Sequence, residues 1–596
     1  MKTTSRALAT LALVAAALSA APPAWAQCKL SKLEIAVRIV NQRPVGTLNL
    51  NGTEVSMLID SGAFYSFLTP SVAAQLNLRL KSLPDGMRIY GYTGAIEARV
   101  ARVEKVIFQR TELSNVEFIV GGNELGSGIQ GILGRNFLSM ADAEYDLAHG
   151  VVRLMFPKGD CDKTNFAYWA GDAPVIEAAM DFGSHGQDTA IRVRPRINDL
   201  EVRALLDTGA PRTSLKLRAA KRAGVKEKDL VEVGRVGGAG VGRVRSWTGV
   251  IASFELGGEK IGNNELGVDD AGVDDEDMLI GLDYFLSHRI YVSRLQRKLY
   301  ATWNGGPVFA RSAPGQYDQR YAARPEDIAP DDAESLARRG EASAARGELA
   351  QALADLNRAC ELAPQSGTNF FARARVHAAM KQFGKARQDL DEALRLQPGL
   401  HEALAIRASV RMAAGDRTGA LVDLLVLDTA LPPSSHLRQG MAETYVQLEL
   451  PTDALRQWAL WVPTHRSDAH MAQVLNSRCW LRARLNLDLK LALDDCKEAV
   501  SRDRGEAAFR DSLGWTQLRL NDAAAALKAF DAALEIKPLA FSHYGRGLAQ
   551  QRLGNAEAAR RDLAAARKLR EDIDAAVRAA GFPVADDAPR PPAPAS

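Results

Sequence analysis

Hydrophobic and polar positions follow two different patterns along this chain of 596 residues. Up to about residue 303, short runs rich in β-branched residues are bounded by Gly, Asn or Asp, as in Val45–Leu50, Val55–Ile59 and Val116–Val120. Such runs are typical of β-strands. A short helix is expected over Pro70–Leu76, after the turn at residues 60–62. The first half of the chain is therefore predicted to be mainly β.

This β region contains an internal duplication with an offset of 147 residues. At that offset Asp60-Ser61-Gly62-Ala63 matches Asp207-Thr208-Gly209-Ala210, and Ile132-Leu133-Gly134 matches Leu279-Ile280-Gly281. One offset that holds over about 90 residues indicates two copies of one domain. We predict the copies over 27–162 and 173–303.

The pattern changes to paired helices after residue 332. Pro364, Pro398 and Pro432 are spaced by 34 residues, and small or apolar residues recur at fixed offsets before each of them. A 34-residue unit with small residues where two helices cross is the tetratricopeptide signature. The proline ends the second helix of each unit. Pro538 is out of phase with the other three, so not every unit has this length.

The helical pattern predicts about seven helix pairs over 333–573. A segment rich in Gly, Pro and charge precedes them and is expected to be a linker at 304–332. A Pro/Ala-rich tail at 574–596 is expected to be disordered. The predicted fold class is thus a multidomain chain, with two mainly-β barrel domains followed by an all-α tetratricopeptide solenoid.

The N-terminus has the features of a secretory signal peptide. Lys2 and Arg6 precede an apolar run over Ala7–Ala21, and Ala24-Trp25-Ala26 supplies small residues around a cleavage position. The run is shorter than the ~20 residues that span a bilayer, which favours cleavage over the alternative of a membrane anchor. We expect residues 1–26 to be removed and the mature protein to be exported without a membrane span, to the periplasm if the source is Gram-negative.

Composition and charge exclude few functions but name no special partner. The chain is 46% hydrophobic and 25% charged with a net charge of +3, which is ordinary for a soluble folded protein. No basic patch interleaved with aromatic residues points to nucleic acid. The sequence has no CxxC, no HExxH and no cluster of His and Cys, so we expect neither a metal nor a cofactor.

The five cysteines allow two disulfides in an oxidising compartment. Cys28 and Cys161 bracket the first copy, and Cys479 and Cys496 lie on helices predicted to pair. Cys360 is left over. Spacing does not determine connectivity, so both pairings are hypotheses.

The Asp-Ser/Thr-Gly motif is by itself most often a turn. Here it occurs twice, follows an apolar strand each time, and precedes an apolar-apolar-Gly segment by 72 to 74 residues. Both copies resemble retropepsin-type aspartic protease domains, and Ile132–Leu138 resembles the segment that leads into the C-terminal helix of that family. The resemblance implies small β-barrels that each contribute one Asp and one Gly-rich hairpin flap to a shared cleft.

The resemblance also implies roles for particular residues. Asp60 and Asp207 would be catalytic, and the hydroxyls of Ser61 and Thr208 would support the pair across the interface. Gly62 and Gly209 would permit the tight turn and a close approach of backbone. The candidate flap and substrate-binding residues are Tyr90, Gly91 and Tyr92 in segment 90–94, and Gly237 and Gly238 in segment 237–240.

Two carboxylates explain why one copy would not suffice. Held within ~3 Å, they cannot both ionise easily, so they share a proton. The ionised member takes a proton from water, which attacks the scissile carbonyl, while the other hydrogen-bonds the carbonyl oxygen. Acid and base are not assigned individually, since the titration is coupled. Asp60 could meet Asp207 of its own chain in a monomer, or each copy could pair with its twin in a homodimer.

The sequence departs from the family at the dimer contact. Retroviral members carry an acidic residue where Phe64 and Pro211 stand here, and it pairs with an Arg at the position of Arg135. The second copy has Leu282 at that position. The retroviral style of dimer contact is therefore in doubt, and the second flap is also poor in aromatic residues.

The sequence favours an exported aspartic endopeptidase whose helical repeats recruit a polypeptide substrate or a protein partner. The alternative is a non-catalytic peptide-binding or scaffold protein that retains the protease fold. Both aspartates and both adjacent hydroxyls are present, and this favours the enzyme. We expect no nucleic acid among the partners.

Overall fold

The computed structural model describes residues 28–585 except 85, 109–110, 123–127, 182–188, 239–242, 272–275, 306, 310–331, 467 and 469. The predicted signal peptide and most of the predicted linker lie outside the described residues. Within them, no helix combines the length and the apolar character that crossing a membrane requires.

The strands of the described chain lie between residues 29 and 303. In chain order they are β1 (Lys29–Ala36), β2 (Arg38–Ile39), β3 (Pro44–Leu50), β4 (Thr53–Ile59), β5 (Phe67–Leu68), β6 (Leu80–Ser82), β7 (Ile89–Gly91), β8 (Gly94–Ile96), β9 (Ala98–Phe108), β10 (Thr111–Gly121), β11 (Gly131–Leu133), β12 (Asp142–Asp146), β13 (Val151–Lys158), β14 (Ile176–Ala179), β15 (Arg192–Val193), β16 (Arg196–Ile197), β17 (Leu200–Glu201), β18 (Ala204–Leu206), β19 (Ser214–Lys216), β20 (Val231–Gly237), β21 (Arg243–Leu256), β22 (Glu259–Asp269), β23 (Met278–Ile280), β24 (His288–Ser293) and β25 (Lys298–Trp303).

Each copy forms its own curled sheet, and the two sheets share a central order. The first contains β4-β11-β5-β10 and the second contains β18-β23-β19-β22, which are the strands that the duplication places at equivalent positions. In both, a parallel pair joins the strand before the Asp to the strand before the Gly of the later motif. The predicted pair of β domains is confirmed.

A further sheet of six strands joins the two copies, and the sequence did not predict it. Its order is β1-β13-β12-β24-β25-β14, so each copy supplies three strands. At the junction β12 pairs antiparallel with β24, with Tyr145 opposite Ile290. The fully buried Glu144 of the first copy forms an ion pair at 2.8 Å with Arg289 of the second. The two copies of one chain are therefore joined to each other by this shared sheet.

Short helices follow the motif regions of both copies. They are α1 (Pro70–Gln75), α2 (Arg135–Leu138), α3 (Leu217–Arg222) and α4 (Leu282–Ser287). The first agrees with the predicted Pro70–Leu76, and its start has a local cause. The Thr69 hydroxyl accepts a hydrogen bond from the Val72 N–H at 3.3 Å, and Pro70 has no N–H to leave unpaired at the first position.

Seven antiparallel helix pairs follow in the described chain, as predicted. They are α5 (Ala333–Ala345) with α6 (Leu349–Leu362), α7 (Gly367–Ala379) with α8 (Phe383–Leu396), α9 (His401–Ala413) with α10 (Arg417–Ala430), α11 (Leu437–Gln447) with α12 (Pro451–Trp461), α13 (Met471–Leu485) with α14 (Leu489–Arg502), α15 (Ala507–Arg519) with α16 (Ala523–Ile536), and α17 (Ala540–Arg552) with α18 (Ala556–Leu569).

Small residues and ion pairs hold these helix pairs together. A Cβ at Gly340 would lie 2.8 Å from Leu356, so the crossing of α5 and α6 requires a residue without one. Five pairs also carry a buried or half-buried Arg–Asp ion pair between their two helices, a regularity that the sequence reading missed. These pairs are Arg339–Asp355, Arg373–Asp389, Arg407–Asp423, Arg478–Asp495 and Arg546–Asp562, at 2.5–2.7 Å.

The prediction of a disordered tail from residue 574 is wrong for 574–585. Helix α19 (Ile573–Ala579) is followed by Phe582 and Val584, which are both buried. The Phe582 ring packs on Trp515 with a centroid distance of 4.4 Å. This segment covers apolar surface that the last helix pairs would otherwise expose, as terminal caps of repeat proteins do. Residues 586–596 lie outside the described part.

Both hypothetical disulfides are present. Cys28 is bonded to Cys161 and Cys479 to Cys496, with Cα–Cα distances of 4.9 and 5.5 Å. Cys360 is buried as a free thiol. The first bridge closes the two ends of the first copy, and the second joins α13 to α14.

Candidate active site

Each motif aspartate lies directly after a central strand of its own copy. The Asp60 N–H donates to the Leu133 carbonyl at 3.0 Å, and the Asp207 N–H donates to the Ile280 carbonyl at 2.9 Å. The apolar-apolar-Gly segment of each copy therefore anchors the aspartate of the same copy. This is the physical basis for the fixed spacing seen in the sequence.

The two aspartates meet within a single chain. Their carboxyl groups lie close enough to perturb each other's titration. A Cβ on Gly62 would lie 2.6 Å from Asp207 Oδ1, and one on Gly209 would lie 2.8 Å from Asp60 Oδ1. Each glycine thus gives the carboxylate of the other copy room to approach. Of the two assemblies that the sequence left open, the structure has the pair within one chain.

Backbone donors hold the two carboxylates in matching orientations. Asp60 Oδ1 accepts hydrogen bonds from the N–H groups of Gly62 at 2.9 Å and Ala63 at 2.8 Å. Asp207 Oδ1 accepts from Gly209 at 2.8 Å and Ala210 at 3.3 Å. The motif loop of each copy therefore fixes its own carboxylate before any substrate binds.

The motif hydroxyls cross between the copies. Thr208 Oγ1 donates to the Ile59 carbonyl at 2.7 Å and accepts from the Ser61 N–H at 2.9 Å. Ser61 Oγ donates to the Leu206 carbonyl at 2.9 Å and accepts from the Thr208 N–H at 3.0 Å. All four bonds are buried, so they tie the two loops rigidly. Ser61 and Thr208 occupy the supporting positions that the resemblance implied.

Burial and charge make the pair retain a proton. Burial raises the pKa of Asp60, and the hydrogen bonds from the N–H groups of Ala63 and Gly62 partly offset this rise. Burial and the neighbouring charge of Asp60 hold the pKa of Asp207 well above its usual range. The pair therefore binds one proton at a pH where an ordinary carboxyl has lost it.

Each copy has a further hydrogen-bond network beside its aspartate that was not predicted from the sequence. Ser66 Oγ donates to Asn136 Oδ1 at 2.7 Å and accepts from the Gly134 N–H at 3.0 Å. In the second copy, Thr213 Oγ1 donates to Asp283 at 2.6 Å and accepts from the Gly281 N–H at 3.0 Å.

These positions are related by the same offset of 147, and this signal could have identified them from the sequence. Burial raises the pKa of Asp283 to about 6, although its hydrogen bonds with Thr213 oppose the rise. The second copy thus has a titratable carboxyl where the first has a neutral amide.

The candidate flaps from the two copies touch each other. Strands β7 and β8 form the first hairpin, in which Gly91 pairs with Gly94 and Tyr90 is 54% exposed. The Thr93 hydroxyl donates to the Gly238 carbonyl at 3.3 Å, and a Cβ on Gly238 would lie 2.9 Å from the Tyr92 ring.

Strands β20 and β21 form the second hairpin, and β20 ends at Gly237. Its predicted tip residues 239 and 240 lie outside the described part. Among the residues that the structure describes, no group of three or more His, Cys, Asp or Glu side chains could hold a metal ion.

Comparison with known families identifies the β copies. The profile of the aspartyl protease family matches residues 46–137 and, separately, 193–284. Both copies are therefore aspartyl-protease-like domains, and the resemblance seen in the sequence is confirmed. A search of curated proteins finds no match.

Solved structures resemble the chain through helical repeats. The first is the APC/C hetero-tetramer Cut9-Hcn1, with 14% identity and a TM-score of 0.30, covering 40% of this chain. This chain spans only 44% of the length of that one. A tetratricopeptide repeat protein from Parabacteroides merdae has 15% identity and a TM-score of 0.31, covering 42% of this chain and 97% of its own. Yeast Tom70 has 14% identity and a TM-score of 0.27, covering 41% and 49%. Because these TM-scores are low, the assignment of the repeats rests on the helix pairs themselves.

Proposed function

We propose that this protein is an aspartic endopeptidase in which Asp60 and Asp207 of one chain activate water for peptide hydrolysis. One observation carries the proposal. Two half-buried carboxylates from two copies of the same motif face each other, each beside the glycine of the other copy and each fixed by the N–H groups of its own loop. A structural turn would need neither this contact nor the partial removal of two like charges from water.

The chemistry follows from the shared proton. With one proton on the pair, the ionised carboxylate accepts a proton from water as its oxygen bonds to the carbonyl carbon. The protonated carboxyl donates to the carbonyl oxygen, which gives a neutral gem-diol. The protonated carboxyl then donates its proton to the amide nitrogen, and the ionised carboxylate accepts a proton from one gem-diol hydroxyl as the C–N bond breaks. The products are a carboxylic acid and an amine. The pair returns to its singly protonated form.

The helical repeats and the N-terminus extend this proposal. Arrays of helix pairs present extended concave surfaces, and here such a surface would recruit the polypeptide substrate or a protein partner. The apolar run and small residues before Gln27 support export by a signal peptide, most simply to a periplasm. Two disulfides in the mature chain agree with an oxidising compartment.

The test uses purified mature protein and unfolded polypeptide substrates at about pH 3 to 7. We expect a bell-shaped pH profile, because catalysis needs one proton on the pair. Asp60→Asn and Asp207→Asn should each lower cleavage by about 10³-fold or more, since neither carboxyl suffices alone. Exposed Asp229 provides a matched control, and Asp229→Asn should leave cleavage unchanged.

Two results would contradict the proposal. Cleavage that survives either aspartate substitution would remove that residue from the mechanism. Absence of cleavage at every pH, with peptides still bound, would favour the alternative of a binding protein that kept the fold.

A further inference from the structure

The helical array contacts the second hairpin, β20–β21, through one buried carboxylate. Arg243 Nη1 lies 3.2 Å from Asp503 Oδ2, and Arg235 Nε lies 3.9 Å from Asp503 Oδ1. The two arginine side chains are about 40% exposed, whereas the Asp503 side chain is 3% exposed. The contact joins residues about 260 positions apart in the chain.

Hydrogen bonds fix the contacting side chains on both the hairpin and the array. On the hairpin, Arg235 Nη2 donates to the backbone carbonyl of Arg243 at 2.7 Å, which fixes the Arg235 guanidinium against strand β21. On the array, the Asp503 carboxylate accepts from the Gly505 N–H at 3.0 Å and is fixed in place. The Arg235 guanidinium also lies directly against Gly505, since a Cβ there would be 2.8 Å from Arg235 Nη1.

The helix end adds a second attraction. Asp503 caps the C-terminus of α14, where its N–H donates to the Ala499 carbonyl at 3.1 Å. Helix C-termini carry a partial negative charge that favours nearby cations. The two arginines therefore face both a carboxylate and the negative end of a helix.

The hairpin that the array holds also reaches the first hairpin. Its residue Gly238 contacts Tyr92 and accepts a hydrogen bond from Thr93. A continuous path of contacts thus runs from α14 through β20–β21 to β7–β8. In this structure the contact of the hairpin with the array and the contact of Gly238 with the first hairpin occur together.

We infer that Asp503 of the helical array is a positioning residue for the second hairpin, holding it against the first hairpin. The inference rests on the proposed function for its effect on catalysis, but the contact itself can be tested without catalysis. Release of Arg235 and Arg243 from Asp503 frees the hairpin arms from the array. A partner that displaces α14 would therefore change how tightly the two hairpins hold the substrate, and so change KM.

The first measurement is hydrogen exchange of the full-length protein in an Asp60→Asn background, which removes proteolysis. Asp503→Asn keeps the size of the side chain and an acceptor for Gly505. Loss of the charged hydrogen bond should speed exchange of the β20 amides about 5- to 10-fold. The same increase is expected for Arg243→Gln, which leaves the array intact and covers the case in which Asp503→Asn disturbs α14.

The matched control is Glu117→Gln, which removes the exposed ion pair with Arg102 at 3.0 Å in the first copy. It should leave exchange of β20 unchanged. Raising NaCl from about 0.1 to 1 M shortens the screening length from about 10 to 3 Å. The unsubstituted hairpin should then approach the exchange rate of the variants.

In the active protein, Asp503→Asn should raise KM about threefold or more and change kcat by less than about twofold, because the chemical groups are untouched. Unchanged β20 exchange in both Asp503→Asn and Arg243→Gln would overturn the inference, even if the protein cleaves peptides. Faster exchange in a protein that never cleaves peptides would instead leave the contact established and remove only the proposed function.

Discussion

The two copies of the β domain make equivalent hydrogen bonds in the loops that support the paired carboxylates, but they carry different residues at exposed positions. In the supporting loops, hydroxyls at positions 61 and 208 and at 66 and 213 make equivalent hydrogen bonds. At the surface, the first copy exposes the aromatic residues Phe64 and Tyr90. The offset of 147 places Pro211 and Gly237 at these positions in the second copy. A substitution in one of these loops would leave a buried hydrogen-bonding group of the other loop unpaired, so the two loops constrain each other's sequence. Exposed residues carry no such constraint.

The copies also differ in how their outer parts are held. A disulfide closes the ends of the first copy, while Val175 and Val308 occupy the equivalent positions of the second. The hairpin of the second copy contacts the array at Asp503, whereas the first copy contacts the array through the ion pair of Arg38 with Glu341. The duplication thus kept one shared centre, while the two copies differ in their contacts outside it.

Removal of the first disulfide should have the largest effect on this comparison. The bond joins residues 133 apart, so Cys28→Ala with Cys161→Ala frees a long loop in the unfolded chain. We expect a loss of about 4 kcal/mol in the free energy of unfolding of the β region, measured by urea denaturation. Cys360→Ala breaks no bridge and serves as the control. A loss of unfolding free energy no greater than that of Cys360→Ala would show that the disulfide does not stabilise the first copy.

Removal of either crossed hydroxyl should have a smaller and symmetric effect. Thr208→Val keeps the shape of the side chain but leaves the Ser61 N–H and the Ile59 carbonyl unpaired in a buried site. Ser61→Ala does the same to the Thr208 N–H and the Leu206 carbonyl. Each should cost about 3 kcal/mol of the free energy of unfolding, measured by urea denaturation.

The partner bonds are equivalent, so the two losses should agree within about 1 kcal/mol. Thr248→Val, at a half-buried position on β21 away from the pair, is the control for Thr208→Val. A marked inequality between Ser61→Ala and Thr208→Val would break the symmetry inferred for this centre.

The pH dependence of stability should show a smaller difference between the two aspartates. Burial and the charge of Asp60 raise the pKa of Asp207 above its unfolded value of about 3.9. Its contribution to stability is therefore fully present below about pH 4 and is lost as pH rises through the folded pKa. Asp207→Asn avoids that loss, so it should raise the melting temperature at pH 7 and leave it unchanged at pH 3.

Asp60→Asn should stabilise less at pH 7, because the Ala63 N–H at 2.8 Å favours the ionised form of Asp60 and keeps its pKa lower, whereas the equivalent Ala210 N–H lies 3.3 Å from Asp207. Calorimetric melting of both variants between pH 3 and 7 measures the difference. Equal stabilisation by the two substitutions would mean that these backbone hydrogen bonds do not distinguish the pKa values of the two carboxyls.

Much of the fold could be predicted because its signals are local and repeated. The β-branched runs at Val45–Leu50 and Val55–Ile59 correspond to β3 and β4, and the 34-residue spacing corresponds to the helix pairs. The tail was mispredicted because its composition is that of a disordered segment, while Phe582 and Val584 are buried by contacts with distant helices. Local composition cannot report such contacts.

The sequence by itself determined the two copies, the aspartates at equivalent positions, the glycines beside them and the repeat array. These follow from spacing along the chain, because equivalent residues in a duplicated fold keep one offset. Only the tertiary structure decided that Asp60 meets Asp207 of its own chain, that six strands from both copies form one sheet, and that Asp503 contacts the second hairpin. Each joins residues some 145 to 260 positions apart, through hydrogen bonds and side-chain geometry that no local pattern encodes.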